Sequence, residues 1–155
     1  GIHIRRLSPP DPFPCTGEFY VHNIAPQPIG VVTVYPGISA EMIRNFLLQP
    51  VRALILRSYG VGNAPQDPAL LKELRNASER DIIVINLTQC LSGRVNMDGY
   101  ATGNALAQAG VISGFDMTVE AALTKLHFLL SSNLPANEIR KLMQKNLRGE
   151  LTENE

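Results

Sequence analysis

VRALILRSYGVGNAPQD, residues 51 to 67, decides how the rest of the chain is read. Its apolar run from Ala53 to Leu56 gives way at Arg57 to the polar Ser58. A loop holding Gly60, Gly62 and Asn63 follows, and Asp67-Pro68 then opens a helical pattern. Strand, loop and helix in that order form the repeating unit of a parallel sheet. Ligands of such sheets collect outside the carboxyl ends of the strands, so Arg57, Ser58 and Asn63 stand where function is expected. The loop glycines permit positive φ and a close approach of backbone to a ligand.

Working outward, the same unit recurs on both sides. Ile29 to Tyr35 (IGVVTVY) is β-branched and nearly continuous, the pattern of a strand buried on both faces, and Pro36-Gly37 closes it. Ser39 is placed to cap a helix whose apolar face is Met42, Ile43, Phe46 and Leu47, with Pro50 after its end. In the central unit Asp67 is the N-cap and Pro68 the first helical residue, with Leu70, Leu71, Leu74 and Ala77 as the buried stripe. Asp81 to Leu87 (DIIVINL) reads as a third strand ending in Thr88-Gln89-Cys90. Three strands joined by helices imply parallel pairing with right-handed crossovers.

Past Cys90 the pattern changes. Leu91 to Asp98 is a polar loop, and Gly99 to Ala109 is a helix of small residues stopped by Gly110. Small side chains let this helix approach the sheet or another subunit closely. Val111 to Ser113 adds a short fourth strand. Val119, Ala122, Leu123, Leu126, Leu129 and Leu130 fall at helical spacing within Thr118 to Ser131, and Pro135 opens a last helix with Ile139, Leu142, Met143 and Leu147 as its stripe. The expected fold is therefore α/β: a three-layer α/β/α domain over residues 29–149 with a small, about four-stranded parallel sheet, Rossmann-like or flavodoxin-like. Residues 1–28, rich in proline, read as an interdomain linker or arm, with Glu18 to Ile24 its one strand-like stretch. The acidic residues 150–155 read as a flexible tail.

Composition narrows the function. With Lys and Arg numbering 14 and Asp and Glu also 14, the chain lacks the basic footprint of a nucleic-acid binder. No apolar run reaches membrane-spanning length and the N-terminus holds no signal-peptide core, so a soluble protein without a membrane partner is expected. Cys15 and Cys90 have no metal-ligand or disulfide-scaffold spacing, and His3, His22 and His127 are scattered. Neither a metal nor another cofactor is implied, and a reducing, cytoplasmic compartment is the simpler setting. The chain opens with Gly1 rather than Met and reads as a fragment.

Three polar clusters converge on the strand ends: Arg57-Ser58, Gly62-Asn63 and Thr88-Gln89-Cys90. Arg57 is either a clamp for a ligand carboxylate, through its planar fork, or half of a structural ion pair. Asn63 can present its amide to a ligand, although Asn in a glycine loop more often shapes the turn. Cys90 precedes no helix N-terminus that would lower its pKa, so a structural or ligand-contacting thiol is preferred to a nucleophile. Tyr100 either packs or offers its hydroxyl at a subunit boundary. His127 sits beside an apolar stripe as a packing residue, and Arg140, Lys141, Lys145 and Arg148 read as a solvated helix face. The chain contains no GxSxG elbow, no Walker loop and no GxGxxG after a strand.

The order of these pieces carries more than the chemistry does. LILRSYGVGNAP, DIIVINLTQCLSGRV and GYATGNALAQAGVISGFDMTVEAALTKLHFLL together resemble the C-terminal domain of bacterial cytosolic, type I L-asparaginases, over about Ile29 to Leu147. The resemblance implies hydrolysis of L-asparagine to L-aspartate and ammonia by a protein with a further, N-terminal domain. The family's threonine nucleophile and Thr-Asp-Lys group lie in that domain, and nothing in this sequence matches them. The catalytic set is thus expected to be absent from this chain. The resemblance further implies a homodimer or homotetramer in which Asn63, and Tyr100 of the YAxG segment, reach the neighbouring subunit's active site. Some type I enzymes bind a second L-asparagine as an allosteric activator, and the resembling positions are Arg57, Thr88 and Cys90, with Arg57 on the ligand carboxylate. Two other readings compete: a free-standing amino-acid-binding regulatory domain that performs no reaction, and a small thiol hydrolase with Cys90 as nucleophile.

Overall fold

The computed structural model describes residues 21–97 and 101–153. Four strands, β1 (Ile29–Thr33), β2 (Ala53–Ser58), β3 (Ile83–Thr88) and β4 (Ile112–Ser113), form one sheet in the order β1-β2-β3-β4, with every pair parallel. The crossovers are α1 (Ala40–Phe46), α2 (Pro68–Glu79) and α3 (Ala101–Gln108), and after β4 come α4 (Val119–Ser131) and α5 (Ala136–Met143). Strands laid down in chain order with crossovers of one hand place all those crossovers on one face. The core divides accordingly. Leu54, Leu56 and Val84 pack with Ile43, Leu70, Leu74 and Leu106 of α1, α2 and α3 and with Leu47 at the end of α1, while Ala53, Ile55, Ile83, Ile85 and Leu87 pack with Leu126, Leu129, Ile139 and Met143 of α4 and α5. The three-layer α/β/α expectation therefore holds, with α4 and α5 supplying the layer that the crossovers cannot reach.

The helix starts follow local chemistry. Ser39, Asp67 and Thr118 each have extended backbone and accept from the main-chain N–H of Met42, Ala69 and Ala121, relieving donors that have no partner in the first turn. Pro68 occupies the start of α2, where its missing N–H costs nothing. The small residues of α3 serve close packing: a Cβ on Gly103 would come within 2.5 Å of the Met97 carbonyl oxygen.

Several elements depart from expectation. The first strand stops at Thr33 and is an edge strand, with Val32 and Val34 buried on the α1 side but Val31 on the other side 36% exposed. It pairs only with β2, and α4 packs over β2 rather than over it. The third strand begins at Ile83 because Asp81 turns the chain with φ of 60°. Residues 21–28 form no strand. Instead the Ala25 N–H donates to Ser131 Oγ and the Gln27 N–H to His127 Nδ1, which ties this stretch to α4 and gives His127 a partner beyond packing.

Two charged regions are also tighter than the sequence suggests. Arg140 is partly buried, and its Nη2 donates to the carbonyl oxygens of Ser78 and Ile82, so it belongs to no solvated face. The acidic tail is not free at its start. Leu151 is buried, and Glu150 pairs at 2.5 Å with Lys125, whose side chain is 5% exposed. Lys125 Nζ also donates to the carbonyl oxygens of Met143 and Lys145. Burial opposes the charge on Glu150, but the Lys125 ammonium and the N–H groups of Glu150 itself, Leu147 and Arg148 outweigh it and hold the carboxyl down to about 2.

Candidate functional site

Register brings the predicted strand-end residues to one rim. Thr33 is opposite Arg57, Arg57 opposite Leu87, and Ser58 opposite Thr88. Side chains alternate along each strand, so the rim has two faces. Ser58 and Thr88 lie on the α1–α3 side, in line with Leu54, Leu56 and Val84, whereas Arg57 lies on the α4 side, in line with Ala53 and Ile55. Arg57, Thr88 and Cys90 thus share an end of the sheet while Arg57 leaves from the opposite face.

A buried polar pairing of Ser58 with Asn86, the latter missed in the sequence, shapes the glycine loop. Ser58 and Asn86 are fully buried; Ser58 Oγ donates to Asn86 Oδ1 at 2.5 Å, and Asn86 Nδ2 donates to the Gly62 carbonyl oxygen at 2.9 Å. The signal for it was the lone Asn inside the apolar run of β3. The loop closes on itself, since the Tyr59 N–H donates to the Asn63 carbonyl oxygen and the Asn63 N–H to that of Tyr59. Gly62 has φ of 112°, and a Cβ there would lie 2.7 Å from Val95 Cγ1, so the position demands glycine on both counts. Asn63 is half-buried, and its Oδ1 accepts a hydrogen bond from Thr102 Oγ1 of α3. The residue is therefore fixed at backbone and side chain alike.

The other rim residues differ in how far their polar groups are engaged. Thr88 Oγ1 donates to the Gly60 carbonyl oxygen at 2.6 Å and accepts from the Cys90 N–H at 3.0 Å. Cys90 is a free, exposed thiol. Gln89, named in the strand-end cluster but without a role, donates from Nε2 to the carbonyl oxygens of Val34 at 2.6 Å and Arg57 at 2.9 Å, clamping the ends of β1 and β2. Arg57 makes one long contact, Nη1 to Thr33 Oγ1 at 3.4 Å. Its Nε is buried with no acceptor, and no described carboxylate forms an ion pair with it.

A buried donor without a partner is costly and rare. Its electrostatic neighbour is Glu120, in the first turn of α4. The Glu120 carboxyl is held below its ordinary value first by its own N–H and the Thr118 hydroxyl, with a smaller contribution from the Arg57 charge. Among the described residues no carboxylate lies within ion-pair distance of Arg57, whose guanidinium could donate to a carboxylate at the rim. Tyr100 lies outside the described residues.

A roomy cavity lies elsewhere. It encloses about 530 Å³ between α4, α5 and the following segment, lined by Ala121, Phe128, Leu142 and Leu147 with Lys125 and Glu150 at its polar end. Among the described residues no group of three His, Cys, Asp or Glu could hold a metal ion, and no helix is long and apolar enough to cross a membrane.

Comparison with known proteins gives these observations a context. Residues 28–143 match the model of the glutaminase/asparaginase C-terminal domain. The chain is 70% identical over 152 residues to L-asparaginase 1 of Escherichia coli K12, covering 98% of the chain and 45% of that protein. It is 47% identical over 133 residues to the 60 kDa lysophospholipase of Mus musculus, covering 85% of the chain and 23% of that protein. Among solved structures, L-asparaginase I of Vibrio cholerae superposes with a TM-score of 0.85 at 68% identity, over 88% of this chain and 41% of that one. The chain thus spans about half the length, or less, of the relatives it matches.

Proposed function

The chain belongs to the glutaminase/asparaginase C-terminal domain family, and from that premise we propose that it is the C-terminal domain of a cytoplasmic L-asparaginase, hydrolysing L-asparagine to L-aspartate and ammonia together with an N-terminal domain. The observation that carries this reading is the collinear likeness to L-asparaginase 1 along nearly the whole chain. Residues 29–149 are the domain and residues 1–28 the linker into it. The threonine nucleophile belongs to the N-terminal domain, so the role of this chain is assembly, substrate contact across a homodimer or homotetramer, and regulation.

Within that role Asn63 and Tyr100 contribute to the neighbouring subunit's active site. The rigid seating of Asn63, through Tyr59 and Thr102, supports a contact that must hold its geometry. Arg57, Thr88 and Cys90 form a second L-asparagine site at the carboxyl rim. The unpartnered Nε of Arg57 supports this assignment, because a ligand carboxylate would supply the missing acceptor. Binding there activates only if L-asparagine prefers one conformation of the oligomer, since equal affinity for both shifts nothing.

The test is ammonia release. The full-length protein is expected to liberate ammonia from L-asparagine while the isolated chain, equally folded, does not. A full-length protein without that activity would remove the reading, and activity retained by the purified isolated chain would overturn the placement of the nucleophile.

A further inference from the structure

Asn63 is rigid, but rigidity alone does not say which end of its amide meets a ligand. A free asparagine side chain presents carbonyl oxygen and NH₂ in turn, and only one of them matches a given partner. In the structure the Thr102 hydroxyl donates to Asn63 Oδ1, which leaves Nδ2 on the outward side. Nδ2 has no acceptor among the described residues, although Asn63 is half-buried and both of its backbone groups are bonded to Tyr59. Thr102 sits in the first turn of α3, next to Gly103, which packs so closely on the Met97 backbone that a single added Cβ would clash.

We propose that Thr102 is a positioning residue that holds the Asn63 amide with its NH₂ toward the ligand, so that Asn63 recognises an oxygen acceptor, a carboxylate or an amide carbonyl. The proposal rests on the reading that Asn63 touches the substrate. A donor already aimed at its acceptor needs no reorientation when the ligand arrives, which is where a residue one step removed from the ligand gains its effect. The geometry also assigns a sign: the group offered to the substrate is a donor, and a negatively charged replacement at position 63 would keep the bond from Thr102 while repelling an acceptor.

Steady-state kinetics of the full-length protein with L-asparagine, with Tm recorded for every variant, tests this. Asn63→Ala is expected to lower kcat/KM by about tenfold or more, and Asn63→Asp by at least as much. Thr102→Val, with Thr102→Ala as a second variant lacking the hydroxyl, should lower kcat/KM by roughly three- to tenfold at little change in Tm. Thr102→Ser, which keeps the hydroxyl, should return it to within about twofold of wild type. In the Asn63→Ala background Thr102→Val should add nothing, because the group it positions is gone. An inert Asn63→Ala would remove the Asn63 reading and this proposal with it. A damaging Asn63→Ala combined with an inert Thr102→Val, a Thr102→Ser no better than valine, or losses that multiply in the double variant would overturn the positioning role while the Asn63 reading stands.

Discussion

Three arginines at the amino end of the sheet and Arg57 at its carboxyl end are treated in opposite ways. At the amino end Arg52 donates to the Leu130 carbonyl oxygen and Gln27 Oε1, Arg80 to the carbonyl oxygens of Leu47 and Asn76, and Arg140 to those of Ser78 and Ile82. These guanidiniums donate to carbonyls at helix ends and strand starts, where main-chain donors run short. At the carboxyl end Arg94 still donates to the Thr152 carbonyl oxygen, but Arg57 has one 3.4 Å contact and a buried Nε with no acceptor among the described residues. The same kind of side chain is structural at those positions and unfulfilled at Arg57. A fold that gives these arginines partners and leaves Arg57 wanting points to Arg57 as the residue whose partner arrives from outside.

That contrast can be broken or sharpened by substitution. The largest stability effect is expected away from the rim, at the charge most fully committed to structure. Glu150→Gln leaves the Lys125 ammonium buried without its counter-ion and should destabilise the chain by about 3 kcal/mol in denaturant melts. Acid should act on the same pair. A carboxyl held at about 2 when folded, against an ordinary 4.5, contributes stability that is present above the ordinary value and lost as pH falls from there toward 2. Lys125 has the opposite sign, since burial, partly offset by Glu150, lowers its pKa and makes its charge a cost at neutral pH. A wild-type chain whose stability falls no more steeply below the ordinary value than that of Glu150→Gln would show that the clasp does not form.

Next in size is the amino end. Arg140→Ala strips donors from the carbonyls of Ser78 and Ile82 and should cost about 2 kcal/mol, again by denaturant melt, without altering the response of the full-length protein to L-asparagine. A loss of response would break the division between the two ends. Gln89→Leu comes third. It frees the Val34 carbonyl and leaves that of Arg57 with the Val34 N–H alone, which should cost about 1 kcal/mol, and because it loosens the strand end that carries Arg57 it should also weaken the response to L-asparagine. The smallest stability change is expected at Arg57 itself. Arg57→Ala removes one long contact and also a buried donor without an acceptor, so its stability should stay within about 0.5 kcal/mol of wild type.

What could be read in the sequence was local. Ser39, Asp67 and Thr118 act on N–H groups two or three residues away, so the helix starts follow from neighbours. The apolar periods of α2 and α4 identified the faces that are buried. Interactions between residues distant in the chain were not legible. Val31 looked like a core residue because the pattern of a strand does not state that it lies at an edge. Glu150 meets Lys125 25 positions earlier and Arg140 meets Ser78 62 positions earlier, so both looked like solvated charge. At the site, Arg57 and Asn63 were visible through their strand and glycine-loop setting. The roles of Thr102, Gln89 and the Ser58–Asn86 pair were not, since each takes its meaning from a partner that only the fold supplies.

The central claim is that Arg57 is the donor whose partner is a ligand. The most direct test is the initial rate of ammonia release by the full-length protein across a range of L-asparagine concentrations, for wild type and Arg57→Ala side by side. A sigmoidal wild-type curve that becomes hyperbolic in Arg57→Ala, at unchanged stability, is the predicted result. A wild-type curve with no sigmoid character, or an Arg57→Ala curve that superimposes on it, would contradict the account.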